Sequence, residues 1–380
     1  MKGSKRTCCL FLVIFSLLCS LGCLSSSRDT KLNKERLKHQ NRIDALMVRI
    51  RDLERKISLM GKTSYSLLFT GDILIANELT GYMKKKGVDY PFRKIRNQLK
   101  KYDLVFGNLE TPIAKTGIPV RNKPYVFSLD PRYKNVFKNI RLNAVFLANN
   151  HILDYGVEGM RETIRHLKSM GIRYSGAGEN ISAARRPVAF HVGTSEILVF
   201  SYCRRPPVNF FAGKETPGTA PLYLKYIRED IARYRHRNAV IIISLHWGIE
   251  QTSRPQKYQR GLARLIIDAG AHAVIGHHPH WPQGVEVYKK RPVIYSLGNF
   301  VNGYYNKVEK DNIFASLHFR GTTLKRLEIL PVAGKNKKIN FQPSVMKGKA
   351  AAMHLKNIQK LSAELNTRLK ILKDRGVIIF

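Results

Sequence analysis

The chain has 380 residues, 44% of them hydrophobic and 24% charged, and its 66 Lys and Arg against 27 Asp and Glu give a formal net charge of +39. That length holds one large or two ordinary domains, because single cores stop growing near roughly 250–300 residues, and the 9% aromatic content excludes wholesale disorder. The charge predicts attraction to polyanions such as nucleic acid, anionic lipid, phosphate-bearing polymers or a polycarboxylate, and it leaves the fold open.

Residues 1–22 read as an export signal. Lys2, Lys5 and Arg6 precede an almost unbroken apolar run from Cys9 to Leu21, which is shorter than the roughly 20 residues a spanning helix needs. Ser20-Leu21-Gly22-Cys23 sets small residues just before a cysteine, the order of a bacterial lipoprotein signal in which Cys23 is lipidated and anchors the chain to the membrane. Plain cleavage into a secreted or periplasmic soluble chain is the alternative. Either way the expected location is the bacterial cell envelope, which argues against nucleic acid as a partner. Cys8, Cys9 and Cys19 leave with the signal, so no intrachain disulfide is expected for a folded part that keeps Cys203.

Residues 23–60 are expected to form a charged helical stalk. From Arg28 to Met60 there is no Pro or Gly, and Ile43, Leu46, Ile50, Leu53, Ile57 and Met60 recur at spacings of three and four. That is a short heptad seam, readable as a membrane-proximal stalk or as a parallel coiled coil. The leader holds three positive charges and residues 28–60 hold ten Lys and Arg against five Asp and Glu, so +31 of the excess belongs to the body.

Residues 61–335 are expected as the main domain. Apolar runs at Ser66–Thr70, Leu104–Phe106, Ala144–Ala148, Leu198–Ser201, Val240–Leu245, Ala273–Ile275 and Val293–Ser296 read as buried strands. Helical patterns over Pro91–Tyr102, Pro131–Ile140, Val157–Met170, Leu222–His236 and Gln256–Ala269 separate them, which means a mainly parallel α/β sheet with covered faces. Asn312–Phe319 and Leu324–Pro331 read as antiparallel strands. Residues 336–380 are expected as a basic helical extension, its helix at about His354–Leu372. Gly61-Lys62-Thr63 and Gly176-Ala177-Gly178 imitate nucleotide-binding loops, but Lys56 and Ile181 stand where glycines are required, so both read as turns.

Chemistry collects where the strands end. Asp72, Glu110, Asn150-His151 with Asp154, His246, the run Gly276-His277-His278-Pro279-His280, and Asn299 all follow apolar strands. Ligands of open α/β sheets bind beyond the carboxyl ends of strands. Carboxylate, amide and imidazole donors without thiolate suit one or two divalent Mn, Fe or Zn ions, which activate water and stabilise charge on a phosphoryl or carbonyl oxygen. Asp72 and Glu110 supply negative charge, and Asn150, His246, His278 and His280 complete the ligand set. His151 is placed to protonate a leaving group, with Asp154 fixing its tautomer. Arg121 and Arg254 lie in loops from which an anionic group can be clamped.

In chain order, GDIL, GNLE, LANNHILDYGVEG, SLHWGIE, IGHHPH and YSLGNF resemble the CapA family of capsule and poly-γ-glutamate synthesis proteins, over roughly residues 64–330. That family is similar to the calcineurin-like metallophosphoesterases, which implies a four-layer α/β/β/α sandwich of the metallophosphoesterase type. The resemblance places Asp72, Glu110, Asn150, His246, His278 and His280 on metal-ligand motifs, prefers His278 and His280 over His277, and places His151 on the catalytic histidine. Two positions depart from the pattern: Leu74 stands where a histidine ligand is usual, and Glu110 replaces a bridging aspartate. The function implied is synthesis, export or attachment of an anionic envelope polymer, by hydrolysis of a phosphoester or an amide or ester bond. The partners implied are that polymer or a phosphorylated envelope substrate, the membrane through Cys23, and other capsule-synthesis or membrane proteins. A non-catalytic polymer-binding or assembly factor with a degenerate metal site is the alternative.

Overall fold

The computed structural model describes residues 30–138, 140–205, 207–235, 238–305 and 308–380, so the leader and Cys23 lie outside the described residues. The chain divides into two units, Met1–Met47 and Val48–Phe380. The first is, among its described residues, the opening half of a single helix that runs from Thr30 to Leu59. Among the described residues no helix is long and apolar enough to cross a membrane.

Within the second unit the helix packs through Val48, Asp52, Arg55 and Leu59, a stripe spaced by four, three and four. Leu59 is buried and its carbonyl accepts from Gly193 N at 2.9 Å. The heptad seam lies elsewhere on the helix, and Leu53, Ile57 and Met60 are exposed by 57%, 67% and 74%.

The unit is an α/β fold of two facing sheets. The larger, ten-stranded sheet has parallel strands Ser64–Leu74, Leu104–Leu109, Ala144–Phe146 and Arg173–Ser175, with antiparallel Asn312–Arg320 and Thr323–Ala333 on the other side of the first. The smaller, six-stranded sheet centres on parallel Ser195–Cys203, Ala239–His246 and Ala273–His277. Successive side chains of a strand point to opposite faces, and here both faces are covered, so the strands are apolar throughout. Leu67 and Phe69 join Phe106, Phe146, Val240, Ile242 and Ile275 in a core between the sheets, where the Phe69 and Phe106 rings stack at 4.9 Å. Leu68, Val105 and Val145 face the other way, against Leu79, Met83, Met160 and Leu167 of helices Asn77–Lys86 and Gly156–Ser169. On the far side Leu198, Ile241 and Ile243 meet Ile227, Ile231 and Ile266 of helices Leu224–Tyr234 and Lys257–Asp268. The layers are therefore helix, sheet, sheet, helix. Truncating one such buried phenylalanine costs about 3–5 kcal/mol.

Three stretches differ from the sequence reading. Pro91–Tyr102 breaks into a 3₁₀ turn at Tyr90–Phe92 and a helix at Arg96–Leu99, and Pro131–Phe137 is 3₁₀, capped by Asp130, whose carboxylate accepts from Arg132 N at 2.9 Å. The last helix spans Gly348–Ala363 and stops before Asn366, which sits at φ 56°, a left-handed position asparagine tolerates. Residues 336–380 are not an appended helical extension: Leu355 and Ile358 enter the inter-sheet core, and Arg375–Ile379 pairs with Thr323–Ala333 in the larger sheet. Ser362 and Thr367 hydroxyls accept from Val285 N and Val287 N at 3.0 and 2.8 Å, tying the same segment to the edge of the smaller sheet.

Candidate metal centre

The carboxyl ends of parallel strands from both sheets meet at one place. In the larger sheet Asp72 is level with Asn108, and in the smaller His246 is level with His277. Asp72 is fully buried. Its Oδ1 accepts from Asn108 Nδ2 at 2.8 Å and His277 Nδ1 at 3.1 Å; its Oδ2 accepts from His278 N and His280 Nδ1, both at 3.2 Å. Burial by itself would raise this carboxyl, but the bonds from His277 and His280 outweigh it and hold the group well below the usual carboxylate range. Glu110 is equally buried and is driven the other way, well above its ordinary value, by burial and then by the charge of Asp72.

Asn108 ties the set together. Its Nδ2 lies 2.8 Å from Asp72 Oδ1, 3.1 Å from Glu110 Oε1 and 3.3 Å from His246 Nδ1, three acceptors for two hydrogens. Its Oδ1 accepts from Asn149 Nδ2 at 3.2 Å. Asn149 in turn accepts from His151 N and Ile152 N at 3.1 and 3.0 Å, forming the turn that presents Asn150 and His151. Asn150 Oδ1 reaches His246 Nε2 at 2.8 Å. Burial, then the neighbouring His278, holds His246 well below its ordinary value; burial, then His280, pushes His278 down to about 3. His280 behaves differently. Burial opposes its charge, but Glu110 and Asp72 raise it to about 10. Its Nδ1 also reaches Asn299 Oδ1 at 2.9 Å, which leaves Nε2 facing Glu110 Oε2 at 4.0 Å.

The backbone is bent to make this arrangement. His278 and His280 sit at φ 94° and 57°, a left-handed region that non-glycine residues enter at a cost and hold only where the surroundings fix them. Gly276 lets its strand pass close to its neighbour, since a Cβ there would lie 1.9 Å from Tyr295 O. These two features aim the His278 N–H and the His280 ring at Asp72.

The residues fit a divalent cation. Asp72, Glu110 and His246 each offer one donor atom, all within 4.8 Å of one another. Glu110 Oε2, His277 Nε2 and His278 Nδ1 are buried without a hydrogen-bond partner, and each such group costs about 1–3 kcal/mol unless something satisfies it. The donors are oxygens and imidazole nitrogens, the set that suits Mn, Fe or Zn.

Beside this cluster His151 Nδ1 contacts Asp154 Oδ2 at 2.8 Å. That carboxylate contact assigns the proton to Nδ1 and leaves Nε2 for chemistry. Asp154 is fully buried and also accepts from Phe127 N at 2.7 Å. Lys123 enters from a loop: its ammonium pairs with Asp154, donates to Asn150 O at 2.5 Å and lies 3.1 Å from His151 Nδ1. Burial lowers Lys123, with Asp154 opposing, and burial lowers His151 despite the same carboxylate. Leu74, where a further histidine ligand was expected to be absent, packs with Ala76 and Phe127, with Tyr304 against them. Phe127 lies 4.8 Å from the His151 ring, so this side of the site is apolar.

The structure thus brings together Asp72, Glu110, Asn150, His246, His278 and His280, with His151 and Asp154 adjacent. Arg254 is elsewhere, paired with Glu364 at 2.7 Å, and Arg121 is exposed. Three residues that sequence reasoning left unassigned belong to the site. His277 was set aside for its neighbours, yet donates to Asp72. Asn108 had one signal, its place two residues before Glu110 at a strand end. Lys123 had none, since its partners lie 27 to 31 residues away.

Residues 66–304 match the family model described as bacterial capsule synthesis protein PGA_cap. The chain is 30% identical over 274 residues to the capsule biosynthesis protein CapA of Bacillus anthracis, covering 70% of this chain and 67% of that protein. It is 28% identical over 279 residues to the PGA biosynthesis protein CapA of Bacillus subtilis (strain 168), covering 73% of each. Among solved structures, the Haemophilus influenzae NAD nucleotidase NadN is similar at TM-score 0.40 and 12% identity, covering 80% of this chain and 58% of that one. With the family match spanning well over half its length, this chain belongs to the bacterial capsule synthesis protein family PGA_cap.

Proposed function

We propose that this protein is an envelope-anchored member of its family that acts in making, exporting or attaching a polyglutamate-like capsule polymer, and that its metal centre hydrolyses a phosphoester or an amide or ester bond. The observation that carries the catalytic part is the convergence of Asp72, Glu110 and His246 beside three buried polar atoms without partners. Asp72, Glu110, Asn150, His246, His278 and His280 would hold one or two divalent ions, which supply Lewis acidity toward a phosphoryl or carbonyl oxygen and toward water. The protein's own groups do the rest. His151, its Nδ1 held by Asp154, offers Nε2 to the leaving group. Lys123, beside His151 and Asn150, adds positive charge for an anionic substrate. Leu74, Phe127 and Tyr304 limit water on the His151 side.

His151→Ala is expected to lower kcat by about 10²–10⁴ with metal content unchanged, measured on full-length protein with phosphodiester and γ-glutamyl amide substrates. No turnover of either class by metal-loaded wild type would instead favour the second reading, a binding or assembly factor with a reduced site, for which Leu74 is the supporting observation. The anchoring part rests on the Ser20–Cys23 order. Metabolic labelling with a radiolabelled fatty acid should mark the wild type and leave Cys23→Ser unlabelled; equal labelling of both would contradict it.

A further inference from the structure

A cleft of about 660 Å³ opens at the edge of the larger sheet opposite the metal centre. Its lining includes Leu142, Asn143, Gly171 and Ile172, which precede the strands Ala144–Phe146 and Arg173–Ser175, whereas Asn149 and Asn150 follow the first of these. Three walls rise around it, and each contributes a pair of cations. The N-terminal helix supplies Arg51 and Arg55, the Arg96–Leu99 segment supplies Arg96 and Lys100, and the stretch after Pro131–Phe137 supplies Lys138 and Arg141. Acidic residues on the lining are Asp52 and Glu54. Asp52 is already shared among Arg55, Lys56 and Arg173, the last two at 2.9 and 3.4 Å. Among the described residues Lys100, Lys138 and Arg141 have no carboxylate partner, and Arg141 makes only a 3.4 Å contact to Lys100 O.

Concentrating like charge around a cavity disfavours the folded state unless an anion compensates it. Guanidinium forks bind carboxylate or phosphate bidentately, and a cavity of this size accommodates a ligand of drug-like dimensions. The cations come from three segments of the chain, two from each, three or four residues apart in sequence. Six cations around one cavity suit a ligand bearing several anionic groups.

We propose that this cleft is a second binding site, for a short run of a polycarboxylate chain of the polyglutamate type, separate from the metal centre. The choice of polymer rests on the function proposed above; the cleft does not. The test uses full-length protein and a fluorescent γ-glutamate oligomer of about ten residues, with anisotropy read across a salt series. Lys100→Glu/Lys138→Glu, at two exposed positions, is expected to weaken binding at least about tenfold and flatten its salt dependence, with metal content and hydrolysis unchanged. Binding within twofold of wild type overturns the proposal, as does loss of metal in the same variant. Phosphatidylglycerol vesicles and inorganic phosphate serve as competing probes. Tighter binding of either, reversed by the same substitutions, overturns the polymer assignment. If hydrolysis is never found while the variant loses the oligomer, the catalytic reading falls and the cleft stands.

Discussion

Asp72→Ala is expected to abolish divalent-metal binding and, in the same protein without metal, to lower stability by about 3–5 kcal/mol. The substitution leaves Asn108 Nδ2, His277 Nδ1, His278 N and His280 Nδ1 without the acceptor they share. Losing even outer partners of a metal ligand weakens affinity about 10–100-fold, so losing a central carboxylate should exceed that. For a unit of this size the stability change corresponds to a fall in Tm of very roughly 5–10 °C. Asp72→Asn, which keeps an acceptor oxygen and removes the charge, should fall between the two. Scanning fluorimetry with and without Mn²⁺ checks both parts. A variant with wild-type metal affinity would remove Asp72 from the ligand set.

Glu110→Gln is expected to act in opposite directions with and without metal. Metal binding should be lost. The metal-free variant should be more stable than metal-free wild type by a few degrees, because a neutral amide replaces a carboxyl that burial and Asp72 both penalise when charged. The sign follows from linkage. Glu110 has a folded-state value raised above 4.5, so its contribution is fully present below about pH 4.5 and is lost as pH rises through the folded value. The glutamine variant does not lose it. The advantage of the variant should thus be near zero at pH 4 and grow toward neutrality. His280, raised to about 10 by Glu110 and Asp72 together, keeps Asp72 and should titrate lower in the variant. An unchanged or lowered melting temperature for metal-free Glu110→Gln at pH 7 would contradict this electrostatic description. Since Glu110 and His280 each give up a proton to act as ligands, metal uptake should also release protons.

Much of this was legible in the sequence, for a physical reason. Strands covered on both faces read as unbroken apolar runs, so Ala239–His246 and Ala273–His277 stand out, and the polar residues that terminate them stand out too. Asp72 and His246 could be marked by position alone, and His280 was singled out from its neighbouring histidines by the motif. Asn108 was marked only weakly, by its place two residues before Glu110, because an asparagine after a glycine at a strand end also reads as a turn former; its three acceptors come together only once Asp72 and Asn108 pair across two strands. Lys123 was invisible because its partners come from a different loop. The C-terminal segment misled by its composition: an amphipathic, basic run continues past Ala363, but Asn366 in the left-handed region and the Thr367 bond to Val287 N turn it back into the sheets. The heptad seam was legible as a pattern, yet the helix uses a neighbouring stripe against the body and leaves Leu53 and Ile57 exposed.

The most direct measurement is the metal content of full-length protein isolated from metal-replete cells without chelators, determined by mass spectrometry beside Asp72→Ala and His278→Ala. Wild type should carry about one to two ions of Mn, Fe or Zn per chain, and both variants should carry none. Folded wild type free of metal, or variants that retain it, would contradict the metal centre.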